Sequence, residues 1–283
     1  MTSAPRKRLP SRGILFDRAL EALPLFRLSD SSDDGAISFE VEAGGRWRVI
    51  PLPGDRLPGT FDQDVYFEIF RRYQDAGAPA DGTVAFTLHD FLRSMGRKVD
   101  GRTYEQLRAA LGRLQRTTLE SAGAYWDAAE NAHSNARFSL LSSIRIERRR
   151  SVDREQLGLF AVLAANEPGD ARVTIGAPVR ANIAAGYTVR LAVTEWLSLS
   201  SPVSRRLYRM IAVVRAQNLT EWTLPLATLA EQLPLAQRYP SHLQRVLQPA
   251  HEMLVAAGAV ATADISQHQG TWIVRYVLPR TAP

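Results

Sequence analysis

Residues 238–260, RYPSHLQRVLQPAHEMLVAAGAV, decide the fold because their apolar side chains recur at helical spacing. Steps of four, three and four residues place the apolar side chains on one side of a helix, which we expect to be buried. These residues are Leu243, Leu247, Ala250 and Leu254. The polar residues opposite them are Ser241, Arg245, Gln248 and Glu252. Pro240 suits the first turn and Gly258 suits the end of the helix. Pro249 removes a backbone hydrogen bond inside it, so we expect a bend there.

The segments around this helix complete a winged-helix pattern. Residues 201–218 predict a helix, residues 221–226 a strand and residues 227–233 a short helix. Residues 259–279, which follow the long helix, predict a hairpin with His268 to Gly270 at its tip.

The first half of the chain shows the same order of elements. Thr60 and Gln63 form a capping-box pattern before the helix DVYFEIFRRYQDAG. Residues 83–86, TVAF, predict a short strand, and Thr87 caps the short helix LHDFLRSMG that follows. A turn then leads to a longer helix over residues 104–121. Two helices joined by a tight turn form a helix-turn-helix.

Two strands after this longer helix predict a wing. They span residues 119–128 and 137–150, and the polar residues 129–136, AENAHSNA, join them. Arg145 is expected to point outward from the second strand. The residues expected to point inward are Phe138, Leu140, Ile144 and Ile146.

The two halves can be laid over each other at an offset of 135 residues. This offset pairs Tyr104 with Tyr239, Leu111 with Val246, Leu119 with Leu254 and Gly123 with Gly258. The shared order of elements indicates an α+β protein with two tandem winged-helix domains. A lead-in helix over residues 13–26 and a hairpin over residues 37–52 precede the first of them. The predicted organisation is a basic tail (1–13), an N-terminal winged-helix domain with its lead-in elements (14–155), a connecting segment (156–190) and a C-terminal winged-helix domain (191–283).

The charge balance favours a polyanionic partner such as nucleic acid. The formal charge is +6 over 283 residues, and Lys7 and Lys98 are the only lysines. Arginine suits phosphates and guanine edges better than lysine does. High-GC coding would give the same bias toward arginine.

The sequence lacks the residues and motifs that several other classes of protein require. The absence of cysteine excludes disulfides, thiolate zinc sites and cysteine nucleophiles. No phosphate-binding loop, zinc-protease spacing or nucleophile elbow is present, and each histidine is expected at the surface or in a turn. The longest apolar run, residues 157–165, is too short to span a bilayer. We therefore expect a cytoplasmic protein that is not an enzyme and needs no metal or cofactor.

The outer faces of the two long helices carry the candidate base-reading residues. Arginine and glutamine can make paired hydrogen bonds to base edges, and the small residues Ala109 and Gly112 would let the first helix approach a groove closely. The candidates are Arg102, Gln106, Arg113 and Arg116 on the first helix, and Ser241, Gln244, Arg245 and Gln248 on the second. The alternative for both faces is plain solvation.

A second set of arginines is expected to contact DNA phosphates. These candidates are Arg108, Arg145, Arg148, Arg149, Arg238 and Arg275. For Arg205, Arg206 and Arg209 we expect a different role, since their helix can pack behind the second domain. Phosphate contact by these three remains the alternative.

Three stretches of the chain resemble the replication initiator protein A family of plasmids, relatives of the two-winged-helix initiators that bind iterons. They are SRRLYRMIA (204–212), LPLATLAEQLPLAQRYPSHLQRVLQPAHEMLVAAGAV (224–260) and, more loosely, GTFDQDVYFEIF (59–70). The resemblance implies binding to repeated origin sites, melting of an adjacent AT-rich region and recruitment of the host initiator and replicative helicase. It also implies a homodimer that forms through the first winged helix.

Two other functions remain open at this point. A transcriptional repressor or partition-type protein could carry the same domains and would bind one palindrome instead of a row of direct repeats. In a protein-interaction module, the winged helices would bind partner proteins and the basic faces would only be solvated.

Overall fold

The computed structural model describes residues 13–28, 35–41, 44–146, 170–235 and 239–279. In chain order the elements are β1 (Gly13–Asp17), α1 (Arg18–Ala22), β2 (Ile37–Glu40), β3 (Arg46–Ile50), α2 (Thr60–Asp75), β4 (Thr83–Thr87), α3 (Leu88–Ser94), α4 (Gly101–Arg116), β5 (Thr118–Asp127), β6 (Ala132–Phe138), β7 (Leu141–Ile146), β8 (Asp170–Ile175), α5 (Ala177–Ala184), β9 (Thr188–Ala192), α6 (Val193–Ser198), α7 (Pro202–Arg215), β10 (Glu221–Pro225), α8 (Leu226–Gln232), α9 (Pro240–Ala256), β11 (Thr262–His268) and β12 (Thr271–Val277). No helix in these ranges is long and apolar enough to cross a membrane.

Two winged helices share one order of elements. The first consists of α2, β4, α3 and α4 followed by β7 and β8, and its sheet has the strand order β4-β8-β7. The second consists of α7, β10, α8 and α9 followed by β11 and β12, and its sheet has the order β10-β12-β11. In each sheet the last strand lies in the middle. The predicted α+β class with two tandem winged-helix domains is confirmed.

The spacing between equivalent elements differs from the predicted offset of 135 residues. A five-residue strand runs directly into a seven-residue helix in both domains, beginning at Thr83 and at Glu221. The two long helices end at Arg116 and Ala256, which are 140 residues apart. The predicted pairing of Leu119 with Leu254 is therefore wrong, because Leu119 lies on a strand. Apolar residues on two helices align at several offsets, and only the helix ends show which one is structural.

The wing of the first domain is also in a different place from the predicted one. β5 and β6 do form a hairpin, but β6 ends at Phe138 and the next strand, β7, joins another sheet and pairs with β8. The predicted strand over residues 137–150 is thus two strands in two sheets. Leu140 and Leu141 are both buried at the break, so the chain stays in the core where it passes from one sheet to the other. The strands that follow α4 in the sheet of the first winged helix are β7 and β8, and the residues between them, 147–169, lie outside the described residues.

The β5–β6 hairpin belongs to a four-stranded sheet that is added to the first winged helix. Its order is β2-β3-β5-β6, and β2 with β3 confirms the hairpin predicted over residues 37–52. One face of this sheet is buried around Trp47, whose ring lies 6.4 Å from that of Tyr125 and 6.2 Å from that of Phe138. A single buried face is typical of antiparallel sheets.

The lead-in segment begins with a strand and not with the predicted helix over residues 13–26. β1 pairs antiparallel with β9, with Gly13 opposite Ala192 and Asp17 opposite Thr188. Ile14 and Phe16 are buried, so the strand joins the core. Asp17 then starts the short helix α1, because its side chain accepts a hydrogen bond from the amide of Ala19.

The segment predicted as a connection, residues 156–190, contains regular elements where it is described. β8 completes the sheet of the first winged helix, and α5 leads to β9, which pairs with the lead-in strand. The linear order of the chain hides this because the partners of β8 and β9 lie far upstream.

A buried ion pair ties the lead-in segment to both domains. Glu21 on α1 accepts hydrogen bonds from the hydroxyl of Tyr66 on α2 (2.6 Å) and from Nη2 of Arg209 on α7 (3.0 Å). The neighbouring Arg206 donates to the Glu21 carbonyl oxygen at 2.7 Å. These side chains are almost fully inaccessible to solvent, so the expected packing role of Arg206 and Arg209 holds, but at the junction between the domains. Removing one partner would leave a buried charge uncompensated.

Two predictions about helix starts have different outcomes. Thr87 caps α3 as predicted, since its hydroxyl accepts a hydrogen bond from the amide of Asp90 at 3.1 Å. The capping box predicted at Thr60 and Gln63 is displaced by one residue: Gly59 is the N-cap of α2, and its amide donates to Asp62 at 2.9 Å.

Candidate nucleic-acid interface

The first long helix, α4, buries the predicted stripe and exposes much of the opposite side. Leu107, Leu111 and Leu114 are at most 1% exposed. Arg102 and Gln106 lie exposed in the N-terminal half of the helix, and no described residue forms an ion pair with Arg102. This half of α4 therefore presents free polar groups.

The C-terminal half of α4 is tied to the body of the domain. Arg113 donates to both carboxylate oxygens of Asp62, at 3.0 and 3.1 Å. Asp62 is 2% exposed, and burial raises the pKa of its carboxyl while Arg113 opposes that rise. Arg116 is held by Asp55, with Nε 3.0 Å from Oδ2. The guanidinium groups of both arginines are thus occupied inside the chain.

The remaining candidate on α4 is also paired, but at the surface. Arg108 donates to Glu105, one turn earlier, at 2.6 Å. Glu105 is 74% exposed, so this pair is solvated and weak. Three of the four candidate arginines on α4 therefore have carboxylate partners, and sequence spacing could not show the two pairs that come from outside the helix.

The second long helix, α9, buries its predicted stripe and one residue more. Leu243, Leu247, Ala250 and Leu254 are at most 1% exposed, and His251 is 3% exposed. The prediction that each histidine lies at the surface or in a turn is wrong for His251, which lies four residues after Leu247 on the buried side. Its Nε2 lies 2.9 Å from the Tyr276 hydroxyl, and burial lowers its pKa to about 4.

The outer side of α9 is polar and largely free. Ser241, Arg245 and Gln248 are exposed and Gln244 is partly exposed. Gln248 donates to Glu252 at 2.9 Å, and no described residue pairs with Arg245. Arginine and glutamine in this arrangement can reach the hydrogen-bonding edges of bases.

The wing strands of the first domain bring two arginines together. Arg145 on β7 lies directly opposite Arg172 on β8, and both side chains are exposed. Like charges in directly opposed positions destabilise a sheet, and no carboxylate in the described part of the chain pairs with either one. An anion between them would remove the repulsion. Sequence reasoning missed Arg172 because β8 lay in a predicted connection.

The equivalent arginine of the second domain is neutralised. Arg275 on β12 donates to both oxygens of Glu221, at 2.6 and 2.7 Å, and Asp264 lies opposite it on β11. Three other phosphate candidates, Arg148, Arg149 and Arg238, lie outside the described residues.

Two winged helices in tandem, each with a polar outer face on its long helix, place the protein in the class of tandem winged-helix proteins. The family model for replication initiator protein A matches residues 16–253, so the chain belongs to the replication initiator protein A family. This confirms the predicted family and, at that level, the predicted function of a replication initiator.

One curated relative and two solved structures are also similar to this chain. A putative replication protein of Wigglesworthia glossinidia brevipalpis is 30% identical over 96 residues, which cover 32% of this chain and 34% of the relative. The match thus spans about a third of that relative. Domains 2 and 3 of RctB are 12% identical with a TM-score of 0.60, covering 92% of this chain and 98% of theirs. Another structure of RctB domains 2-3 is 11% identical with a TM-score of 0.55, and the match covers 93% of this chain and 97% of that one. The RctB structures show a shared fold.

Proposed function

We propose that the protein initiates replication of a plasmid or secondary replicon by binding repeated double-stranded DNA sites at its origin. The observation that carries this proposal is the exposed pair Arg145 and Arg172 on the wing strands. Two unneutralised guanidinium groups side by side suit the phosphates of a duplex. If the two side chains were only solvated, nothing would offset the repulsion between their charges.

The two domains divide the work in this proposal. Through α9 the second domain reads base edges, using the exposed polar residues Ser241, Gln244, Arg245 and Gln248. From the first domain, Arg102 and Gln106 at the open end of α4 also approach bases. Phosphate contacts that come from its wing strands hold the protein on the duplex.

Four of the arginines predicted to contact DNA have a different role in this proposal. Arg113 orients α4, because the buried Asp62 holds its guanidinium group, whereas Asp55 neutralises Arg116 nearer the surface. Arg108 and Arg275 are paired with glutamates at the surface and contribute little to binding. For Arg148, Arg149 and Arg238, which lie outside the described residues, we retain the proposed phosphate contacts.

The remaining partners follow from the family resemblance. We propose a homodimer through the N-terminal domain, and recruitment of the host initiator and replicative helicase to the cytoplasmic origin. We also propose that the protein acts without catalysis, cofactor or metal. The described residues contain no group of three or more His, Asp or Glu that could hold a metal ion.

A footprint of the purified protein along the DNA that flanks its own gene tests the proposal. It is made at near-physiological salt with competitor DNA. Protection of several direct repeats, spaced by about one helical turn (~10.5 bp) or a multiple of it, is the expected result. A single protected inverted repeat would assign the protein to the repressors instead. Absence of protection, also at low salt, would favour a module that binds proteins.

A further inference from the structure

Pro249 occupies an unusual position in the middle of α9. The helix runs through it from Pro240 to Ala256. Proline has no amide hydrogen, so the carbonyl of Arg245 loses its usual partner four residues later, and the ring presses against that carbonyl. An interior proline therefore weakens α9.

The core does not account for this proline. Pro249 is exposed, whereas the next residue, Ala250, is fully buried. The proline ring consequently fills no space between the helix and its domain. A residue that breaks a local rule without a gain in the fold indicates a functional position.

The neighbours of Pro249 show which surface it belongs to. It lies at the centre of a continuous stripe at spacings of three, four, three and four residues, all of it exposed. The members are His242, Arg245, Pro249, Glu252 and Ala256. Pro249 is thus an apolar site beside Arg245, on the face that is proposed to enter the major groove.

The major groove offers a characteristic apolar group, the C5-methyl of thymine, as the match for such a site. We propose that Pro249 is a specificity-determining residue whose ring packs against the methyl group of one thymine in each repeat. This inference rests on the proposed function. Arg245 and Gln248 fix the position of the helix by hydrogen bonds, and Pro249 selects thymine at the place where its ring meets the base edge.

The test replaces thymidine with deoxyuridine at one position at a time in the footprinted repeats, which removes only the methyl group. Wild-type protein should lose about fourfold in affinity at one position, the effect of exposing one methyl-sized group. Pro249→Ser should be insensitive at that position. Pro249→Val should stay sensitive, because valine keeps an apolar surface.

Both substitutions restore the amide that Arg245 lacks, so both should raise the melting temperature, and they form a matched pair. Thymine dependence that is absent in the wild type, that persists in Pro249→Ser or that is lost equally in both variants would overturn the role of the ring. Failure of wild-type protein to bind any repeat would instead refute the proposed function, which separates the two conclusions.

Discussion

Arg172 and Arg275 occupy the same place in the two winged helices but have opposite surroundings. Each lies on the middle strand, two residues before the residue that pairs with the start of the first strand. Arg172 has Arg145 on one side and Ala85 on the other. Arg275 has Asp264 and Thr223 beside it and is held by Glu221. The same fold therefore presents a cationic wing sheet in one domain and a neutralised one in the other.

The long helices show the reverse difference. On α4, carboxylates pair with Arg108, Arg113 and Arg116. On α9, Arg245 is exposed and has no ion-pair partner in the described chain. Counting the arginines of a winged helix therefore does not show which of them contact DNA. Carboxylates neutralise the long helix in the first domain and the wing sheet in the second. In the proposed function, the first domain therefore mainly holds DNA and the second mainly reads it.

Breaking the link between the two domains should have the largest effect. Glu21→Gln removes the buried carboxylate that pairs with Arg209, and we expect a loss of about 3–5 kcal/mol in the free energy of unfolding. Urea denaturation measures this. Glu105→Gln removes an exposed carboxylate and should cost less than about 1 kcal/mol. Equal effects of the two substitutions would show that the buried pair does not join the domains.

Arg245→Ala tests the reading role of the second domain. Loss of a paired contact to a base should weaken binding to the repeats by about 1–3 kcal/mol and relax specificity at one base pair. Competition binding with single-base variants of the repeat measures both quantities. A uniform loss over all sequences would instead make Arg245 a phosphate contact.

Arg172→Ala and Arg275→Ala form a matched pair across the domains. Arg172→Ala should weaken binding to all sequences alike and reduce the slope of log affinity against log salt by about 1. It should also stabilise the protein slightly, because the repulsion from Arg145 is removed. Arg275→Ala should leave the slope unchanged. The same change of slope in both variants would contradict the difference between the two wings.

Asp55→Asn should release Arg116 on α4 and make the first helix more like the second. We expect a gain in DNA affinity of about twofold to fivefold, in keeping with the small energy of a surface ion pair. Asp62→Asn is the control, since this buried carboxylate supports the fold and its loss should lower stability with no gain in affinity. Titration of both variants against the same repeat measures the effect. Weaker binding by Asp55→Asn would mean that Arg116 must be held in place.

The response to pH should distinguish the lead-in segment from the second domain. Burial raises the pKa of Asp17 from 3.8 to about 7, so its contribution to stability is full below pH 4 and is lost as the pH rises to 7. Burial lowers the pKa of His251 from 6.5 to about 4, so its contribution is present above pH 6.5 and is lost as the pH falls to 4. The net slope should be small because the two effects oppose each other.

Denaturation of Asp17→Asn and His251→Gln over pH 4–8 resolves the two contributions. The stability of Asp17→Asn relative to wild type should improve as the pH rises. For His251→Gln the relative stability should improve as the pH falls. Parallel curves for both variants and the wild type would show that folding does not shift the pKa of either group.

The sequence supplied the second domain almost completely. Its apolar stripe on α9, the strand at Glu221, the short helix after it and the hairpin tip at His268 to Gly270 all lie where spacing and turn residues place them. In this domain the elements follow one another in the chain with no strand of another sheet between them, so local pattern is sufficient. The first domain was harder to predict, because β5 and β6 of the four-stranded sheet lie between α4 and β7 in the chain. In addition, β4 pairs with β8, which begins almost ninety residues later.

Side-chain spacing in the sequence determined by itself which faces of α4 and α9 are buried, and it determined the repeated order of elements that defines two winged helices. The tertiary structure alone decided which arginines are available. Asp62 neutralises Arg113 from another helix, and Glu221 neutralises Arg275 from a neighbouring strand. Only the strand pairing brings Arg172 beside Arg145. The reason is that burial follows from periodicity along one element, whereas the charge that a side chain presents depends on what distant parts of the chain bring next to it.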